Sequence, residues 1–226
     1  MGRGKKFTEV AKLVEPGKGY PVAEAVALAQ KVSTAKFDGS LEVHVKLGID
    51  PSKASQSVRT TVTFPHATGK TVRIAAVVPP ALEDEAKKAG ADVVGGDDLV
   101  AKIKTSGTLD ADVVVATPDM MKKLGPIAKT LGQKGLMPNP KDETVSAQPG
   151  KTIAALKAGK ATFRSDTTGN VHVVIGKVSG KPEELAANLQ MFLETLRKAR
   201  PAEAKGTFIK SVHLSPSMGP SVAVQL

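Results

Sequence analysis

Gly-Lys-Thr occurs twice in this chain, at residues 69–71 and 150–152, and the tripeptide is the phosphate-gripping end of a P-loop. A P-loop needs another glycine five positions earlier, where the backbone begins to wrap the phosphates. Phe64 and Val145 stand there instead, and the first copy leads into a strand rather than a helix. The four histidines, His44, His66, His172 and His213, are scattered, with no pair at helical ligand spacing. His44 falls on the polar side of an alternating stretch, so a solvated or ligand-facing position is expected. The acids Asp97-Asp98 could hold a divalent cation, but such pairs more often occupy the first turn of a helix, where they complement its dipole. There is no cysteine, which removes thiolate catalysis, disulfides and Cys-based zinc sites and fits a reducing compartment. No nucleophile–base pair is legible. The expectation is a chain that is not an enzyme, with no cofactor and no metal.

Charge points to a different chemistry. The 226 residues carry a formal net charge of +10. Such an excess suggests a polyanionic partner, because each phosphate neutralised releases condensed counterions. The start, Met1-Gly2-Arg3-Gly4-Lys5-Lys6, is charged with no apolar run behind it, so no signal peptide is read, and Lys6 stands where a myristoylation signal needs Ser or Thr. The most apolar stretch, from Ile74 to Leu82, is too short to span a bilayer and is broken by Pro79-Pro80. A soluble, cytoplasmic protein without membrane attachment is expected.

The elements that must position any site divide the chain in three. All seven aromatics, from Phe7 to Phe208, lie outside residues 65–162. Residues 1–66 and 160–226 each carry a net charge of +4, while 67–159 carry only +2. This is the signature of an inserted domain, with 67–159 set into a discontinuous domain made of 1–66 plus 160–226. In the outer parts, Val22, Ala25, Val26, Ala29 and Val32 recur at helical spacing behind Pro21, which is suited to a first helical turn. Leu41, Val43, Val45, Leu47 and Ile49 alternate with Glu42, His44, Lys46 and Gly48, which predicts a half-buried strand. Val58–Phe64 predicts another. Ala161–Ser165 and Val171–Lys177 flank Asp166-Thr167-Thr168-Gly169-Asn170, a hairpin signal. A helix from Pro182 and strands at Thr207–Leu214 and Ser221–Gln225 complete an antiparallel sheet covered by helices. In the middle, short apolar strands at Val72–Val78, Ala91–Val94 and Ala111–Ala116 alternate with helices at Ala81–Ala89 and from Asp97, which predicts βαβ units. The fold class expected is α/β, a discontinuous α+β domain with an inserted Rossmann-like domain on a small parallel sheet. The first βα junction of that sheet, Val78-Pro79-Pro80-Ala81, lacks the glycines and backbone donors of a dinucleotide site.

Three stretches resemble one family. They are Ala35-Lys36-Phe37-Asp38-Gly39-Ser40 with Leu47-Gly48-Ile49-Asp50-Pro51, then Gly135-Leu136-Met137-Pro138-Asn139-Pro140-Lys141, then Gly206–Val212 with Ser215-Pro216-Ser217-Met218-Gly219-Pro220-Ser221. Together they are similar to bacterial large-subunit ribosomal protein L-one over essentially the whole chain. The resemblance implies a split two-domain fold whose discontinuous domain binds large-subunit ribosomal RNA at the mobile stalk beside the tRNA exit site. It implies that the same surface binds the protein's own operon mRNA and represses its translation. Exit-site tRNA and the ribosome are then further partners, and the free chain is a monomer.

The resemblance carries over a set of RNA-binding residues: Glu24, Lys36, Phe37, Ser40, Arg164, Asp166, Thr207, Lys210, Ser211, Ser217, Met218 and Gly219. Gly219, lacking Cβ, would let RNA approach the backbone, and Met218 would offer an adaptable apolar contact. Ser217 and Ser211 supply hydroxyls for ribose 2′-OH groups, Phe37 a stacking or wedging ring, and Lys36 and Lys210 charges for phosphate. Glu24 would accept from ribose hydroxyls, with Arg164 and Asp166 by the hairpin. Each has a plainer reading: Phe37 as core, Gly219 as a turn glycine, Ser211 as a solvated strand residue. The family usually has Thr where Ser217 stands, and Pro216 is unusual there and stiffens the loop. Two alternatives remain open. Gly132-Gln133-Lys134-Gly135 has the form with which KH domains clamp single-stranded RNA, although residues 136–140 do not continue as the required helix. A nucleotide-dependent enzyme on the parallel sheet is the other.

Overall fold

The computed structural model describes residues 4–225; Met1-Gly2-Arg3, part of the segment read for targeting signals, lies outside them. The chain forms two compact units, Met1–Lys70 with Ala161–Leu226, and Thr71–Lys160. A short helix that no periodicity announced, α1 (Lys5–Ala11), comes first, and Val10 packs against the core of the first unit. In α2 (Val22–Lys31), Ala25, Val26 and Ala29 are buried, and Pro21 is the cap rather than a first-turn residue. Then β1 (Ser40–Leu47) alternates half-buried and buried positions along its length, and β2 (Arg59–Thr63) follows.

The second unit starts at β3 (Ile74–Val77), continues through α3 (Pro80–Lys88), β4 (Val93–Gly95), α4 (Asp97–Ser106) and β5 (Val113–Ala116), and closes with α5 (Pro118–Leu124), α6 (Ala128–Gln133) and α7 (Pro149–Lys157). Its three strands are parallel, in the order β4-β3-β5. All four residues of β3 are buried, because both faces are covered. Ala75 and Val77 belong to one apolar cluster with Leu99, Ile103 and Leu131, while Ile74 and Ala76 belong to another with Ala86, Ile153 and Leu156.

The chain then returns to the first unit through β6 (Lys160–Arg164), β7 (Asn170–Lys177), α8 (Pro182–Lys198), β8 (Ile209–Pro216) and β9 (Val222–Val224). One sheet has the order β7-β1-β8-β9, antiparallel throughout, and β2 pairs with β6 in a separate two-stranded sheet. The hairpin expectation is therefore corrected. β6 and β7 share a single bridge, Ser165 with Val171, and belong to different sheets. Ser165 bonds twice to Val58, donating its N–H to the Val58 carbonyl at 2.8 Å and accepting the Val58 N–H on its hydroxyl at 3.1 Å. That holds β6 beside β2, while β7 pairs along the length of β1. The outer strands form two sheets rather than one.

Leu41, Val43, Val45 and Leu47 of β1 enter a core with Val26 and Ala29 of α2 and Leu189, Phe192 and Leu196 of α8. Phe163 and Phe192 meet edge to face there, with ring centroids 5.1 Å apart. The helical stripe of α8 and the period-two stripe of β1 are two sides of one apolar layer. The opposite face of β1 carries Ser40, Glu42, His44 and Lys46. Among the described residues no helix is long and apolar enough to cross a membrane.

Candidate nucleic-acid interface

The open face of the four-stranded sheet has two built ends. At one, the Ser217-Met218-Gly219 loop is locked to the segment between α2 and β1. Ser217 and Ser40 exchange backbone and side-chain bonds: Ser217 N–H donates to the Ser40 carbonyl and Ser40 N–H to the Ser217 hydroxyl, each at 3.0 Å. The Met218 carbonyl accepts from Thr34 N–H at 2.9 Å and from the Thr34 hydroxyl. Asp38 accepts from the N–H and hydroxyl of Ser179, holding the same segment from its other side. On this fixed support Phe37 is 60% exposed and Met218 57% exposed, and Lys36 beside them is exposed. Apolar side chains so exposed on rigid backbone are expected where a partner covers them. Phe37 is thus not core.

The Ser217 hydroxyl accepts from the Ser40 N–H and so helps to position the loop. A Cβ on Gly219 would lie 2.5 Å from the Val32 carbonyl oxygen and 2.7 Å from Pro216 Cγ. Glycine is required there by the loop's own packing, whether or not RNA approaches.

At the other end of β1, the turn after β6 is wound around Asp166. Its carboxylate accepts from the Thr168 and Asn170 N–H groups at 2.9 and 2.7 Å and from the Thr168 hydroxyl at 2.7 Å. These bonds, that from the Asn170 N–H foremost, hold its pKa well below the usual carboxylate range. Asp166 is the turn's organiser. Lys46 Nζ donates to the Thr168 carbonyl at 2.6 Å. Ser211 pairs with Lys46 across β1 and β8, and Lys210 and Thr207 are exposed just before it. Ser40 and Lys46 are six residues apart, so about 20 Å of strand separates the two ends.

Between them the sheet register does what sequence spacing did not show. His44 pairs directly with His172 of β7 on one side and with His213 of β8 on the other. Three imidazoles from positions far apart in the chain form one row across three strands. The His44 and His172 Nδ1 atoms are 2.7 Å apart. Glu42 reaches to 3.9 Å of His44 Nε2, and Asp166 to 3.6 Å of His172 Nε2. Burial first, then the neighbouring His172, lower the His44 pKa below its ordinary value, with His213 adding to the shift and Glu42 opposing it.

The sequence model of the Ribosomal protein L1p/L10e family matches residues 29–220, from within α2 through the Ser217-Met218-Gly219 loop. The chain belongs to this family. Ribosomal proteins of the L1p/L10e family are RNA-binding structural components, not catalysts.

Other expected positions lie elsewhere. Glu24 is exposed in the first turn of α2, eight residues before Val32 and thus about 12 Å along the helix. Arg164 is exposed on β6, in the two-stranded sheet. The residues near this face that sequence reasoning did not single out are Thr34, Glu42, Lys46, Thr168, His172 and His213, whereas the alternation already gave His44 as solvated or ligand-facing. The alternation along β1 already marked Glu42, His44 and Lys46 as one face, but nothing in sequence gives their register against β7 and β8.

The motifs set aside in the sequence have structural counterparts in this L1p/L10e member. Gly150 is in the first turn of α7, where an added Cβ would sit 2.6 Å from Glu85 Oε1, so a carboxylate stands where a phosphate would have to be. Asp97 begins α4 and pairs with Lys123 at 2.7 Å. Gly132-Gln133-Lys134-Gly135 closes α6, and residues 136–139 that follow form no α-helix, so the segment is not the helix-flanked KH clamp. Among the described residues no group of three or more His, Asp or Glu side chains is arranged to hold a metal ion.

Proposed function

We propose that this L1p/L10e family member binds structured large-subunit ribosomal RNA on the open face of β7-β1-β8, at the mobile stalk near the tRNA exit site, and thereby aids release of deacylated tRNA. The same surface would bind the protein's own operon mRNA and repress its translation, in a cytoplasmic chain that is monomeric until it joins the ribosome. One observation carries the reading: Phe37 and Met218 are exposed on backbone clamped by Ser40, Thr34 and Ser217. A ring and a thioether presented this way suit unstacked bases and ribose faces of a folded RNA. Lys36 and Lys210 supply phosphate contacts at opposite ends of the face. Thr207 belongs to its margin, and Glu24 on α2 and Arg164 on β6 would contact RNA that extends beyond the face.

The test is a titration of the full chain with a structured RNA junction and with single-stranded RNA, in excess tRNA and at several salt concentrations. Tight, tRNA-resistant binding to the junction is expected, with Phe37→Ala and Met218→Ala each losing about 1–3 kcal/mol. Lys36→Ala should lower the salt slope by about one unit and weaken all RNAs alike. Equal affinity for junction and random RNA would remove the reading.

A further inference from the structure

The imidazole row has a chemistry of its own. His44 and His172 face each other through their Nδ1 atoms at 2.7 Å, so one ring donates its Nδ1 proton and the other accepts. In the neutral pair the donor ring then has a bare Nε2, and the acceptor ring carries its proton on Nε2. One further proton can be added at the bare Nε2 without breaking the bond. A second would have to go between the two Nδ1 atoms, which leaves no room for it. The pair is built to take up one proton and no more.

Its surroundings explain why that proton would matter. Glu42 on the same strand and Asp166 in the turn before β7 point carboxylates at the two Nε2 atoms, at 3.9 and 3.6 Å. Lys46, the nearest cation on β1, is committed to the Thr168 carbonyl. From β8, His213 stands opposite His44 between Ser211 and Ser215. An RNA held at both the Phe37–Met218 end and the Lys210–Ser211 end must cross this row, and a phosphate there would meet two carboxylates with neutral imidazoles between them.

We propose that the His44–His172 pair, flanked by Glu42 and Asp166, is a proton-loaded phosphodiester subsite, so that RNA binding is linked to the uptake of one proton by this pair. The inference rests on the reading of the sheet face as an RNA surface. In the free protein, burial and the neighbouring histidines keep His44 below its ordinary pKa, which favours its neutral form. A bound phosphate raises the pKa of the pair. Affinity then rises as pH falls through the bound-state value and levels off below the free-state value.

The experiment titrates the intact protein with a structured RNA junction from about pH 8 to about pH 6, by calorimetry in buffers of different ionisation heat. Affinity is expected to rise by about fivefold to tenfold per pH unit, with uptake of about one proton. His44→Gln and His172→Gln should each lose most of the pH slope in folded protein, so that their affinity falls furthest below that of the parent at about pH 6. The imidazole resonances of His44 and His172 read the same proton in the unaltered protein, and their midpoints should move up when RNA is added. Tight binding with no slope, or a slope that survives both substitutions in folded protein, would overturn this inference alone. Absence of RNA binding at every pH would overturn the RNA reading of the sheet and this inference with it.

Discussion

The four-stranded and the three-stranded sheets of this protein both bury small apolar residues yet present themselves in opposite ways. β3 is buried at every position, with Ala75 and Val77 facing one apolar layer and Ile74 and Ala76 facing another. β1 buries only alternate residues and leaves Glu42, His44 and Lys46 half-buried on its other face. A parallel sheet needs crossover helices, and here they take both of its faces. An antiparallel sheet joined by turns and longer returns can keep one face free. The lesson is that a macromolecular ligand can use the whole width of the first sheet, whereas the second can offer only its edges and loops.

Charge insertion is the sharpest way to break that comparison. Ala75→Asp and Ala76→Asp should both be severely destabilising, by about 4 kcal/mol or more, because either face of β3 buries an unpaired carboxylate. On β1 the outcome should alternate, with Val43→Asp as damaging and Glu42→Asp or His44→Asp folding normally. Urea unfolding followed by circular dichroism reads this directly. If the destabilisation on β1 failed to alternate, the open face would not be open.

A smaller effect separates the parts of the Met218 loop. Gly219→Val forces branches into the Val32 carbonyl and Pro216, and should cost about 1–3 kcal/mol of stability without any RNA present. Ser217→Ala should cost about 1 kcal/mol, the net worth of its bonds to Ser40. Met218→Ala should change stability by under about 0.5 kcal/mol, as expected at an exposed position, and act only on RNA affinity. Thermal melts of the free variants, set beside their RNA titrations, distinguish positioning residues from contact residues.

The smallest expected effect is at the Asp166 turn. Its carboxylate has a folded pKa below the unfolded one, so its contribution is present above the unfolded value of about 4 and is lost as pH falls toward the lower folded value. Asp166→Asn should therefore melt at a lower temperature than the parent at pH 7, and the gap should narrow as the pH is taken below about 4. A gap that stayed constant with pH would mean that the turn does not depend on the charge.

Much of the frame was legible because it is local. The period-two run from Leu41 to Leu47, the helical stripe Leu185, Leu189, Phe192, Leu196 and the alternation of short strands with helices in the middle each record which side of an element meets a core. The ordered motif set pointed to the family, and Phe37, Met218 and Lys36 were named as contact candidates on that basis. What was not legible is that Ser217 and Gly219 also hold the loop itself, through the close approach of Ser40, Val32 and Pro216.

The sequence by itself thus determined most of the strands, the apolar faces of α2, β1 and α8, and the family, because these depend on residue type and spacing along one stretch of chain. Tertiary structure alone decided that β6 leaves β7 for β2, through the bonds of Ser165 to Val58. It alone set His44 between His172 and His213, residues more than a hundred positions away. Strand register is fixed by turns and by partners distant in sequence, and a slip of one residue would turn the whole row into the core. The histidines were in plain view, and their being neighbours was not.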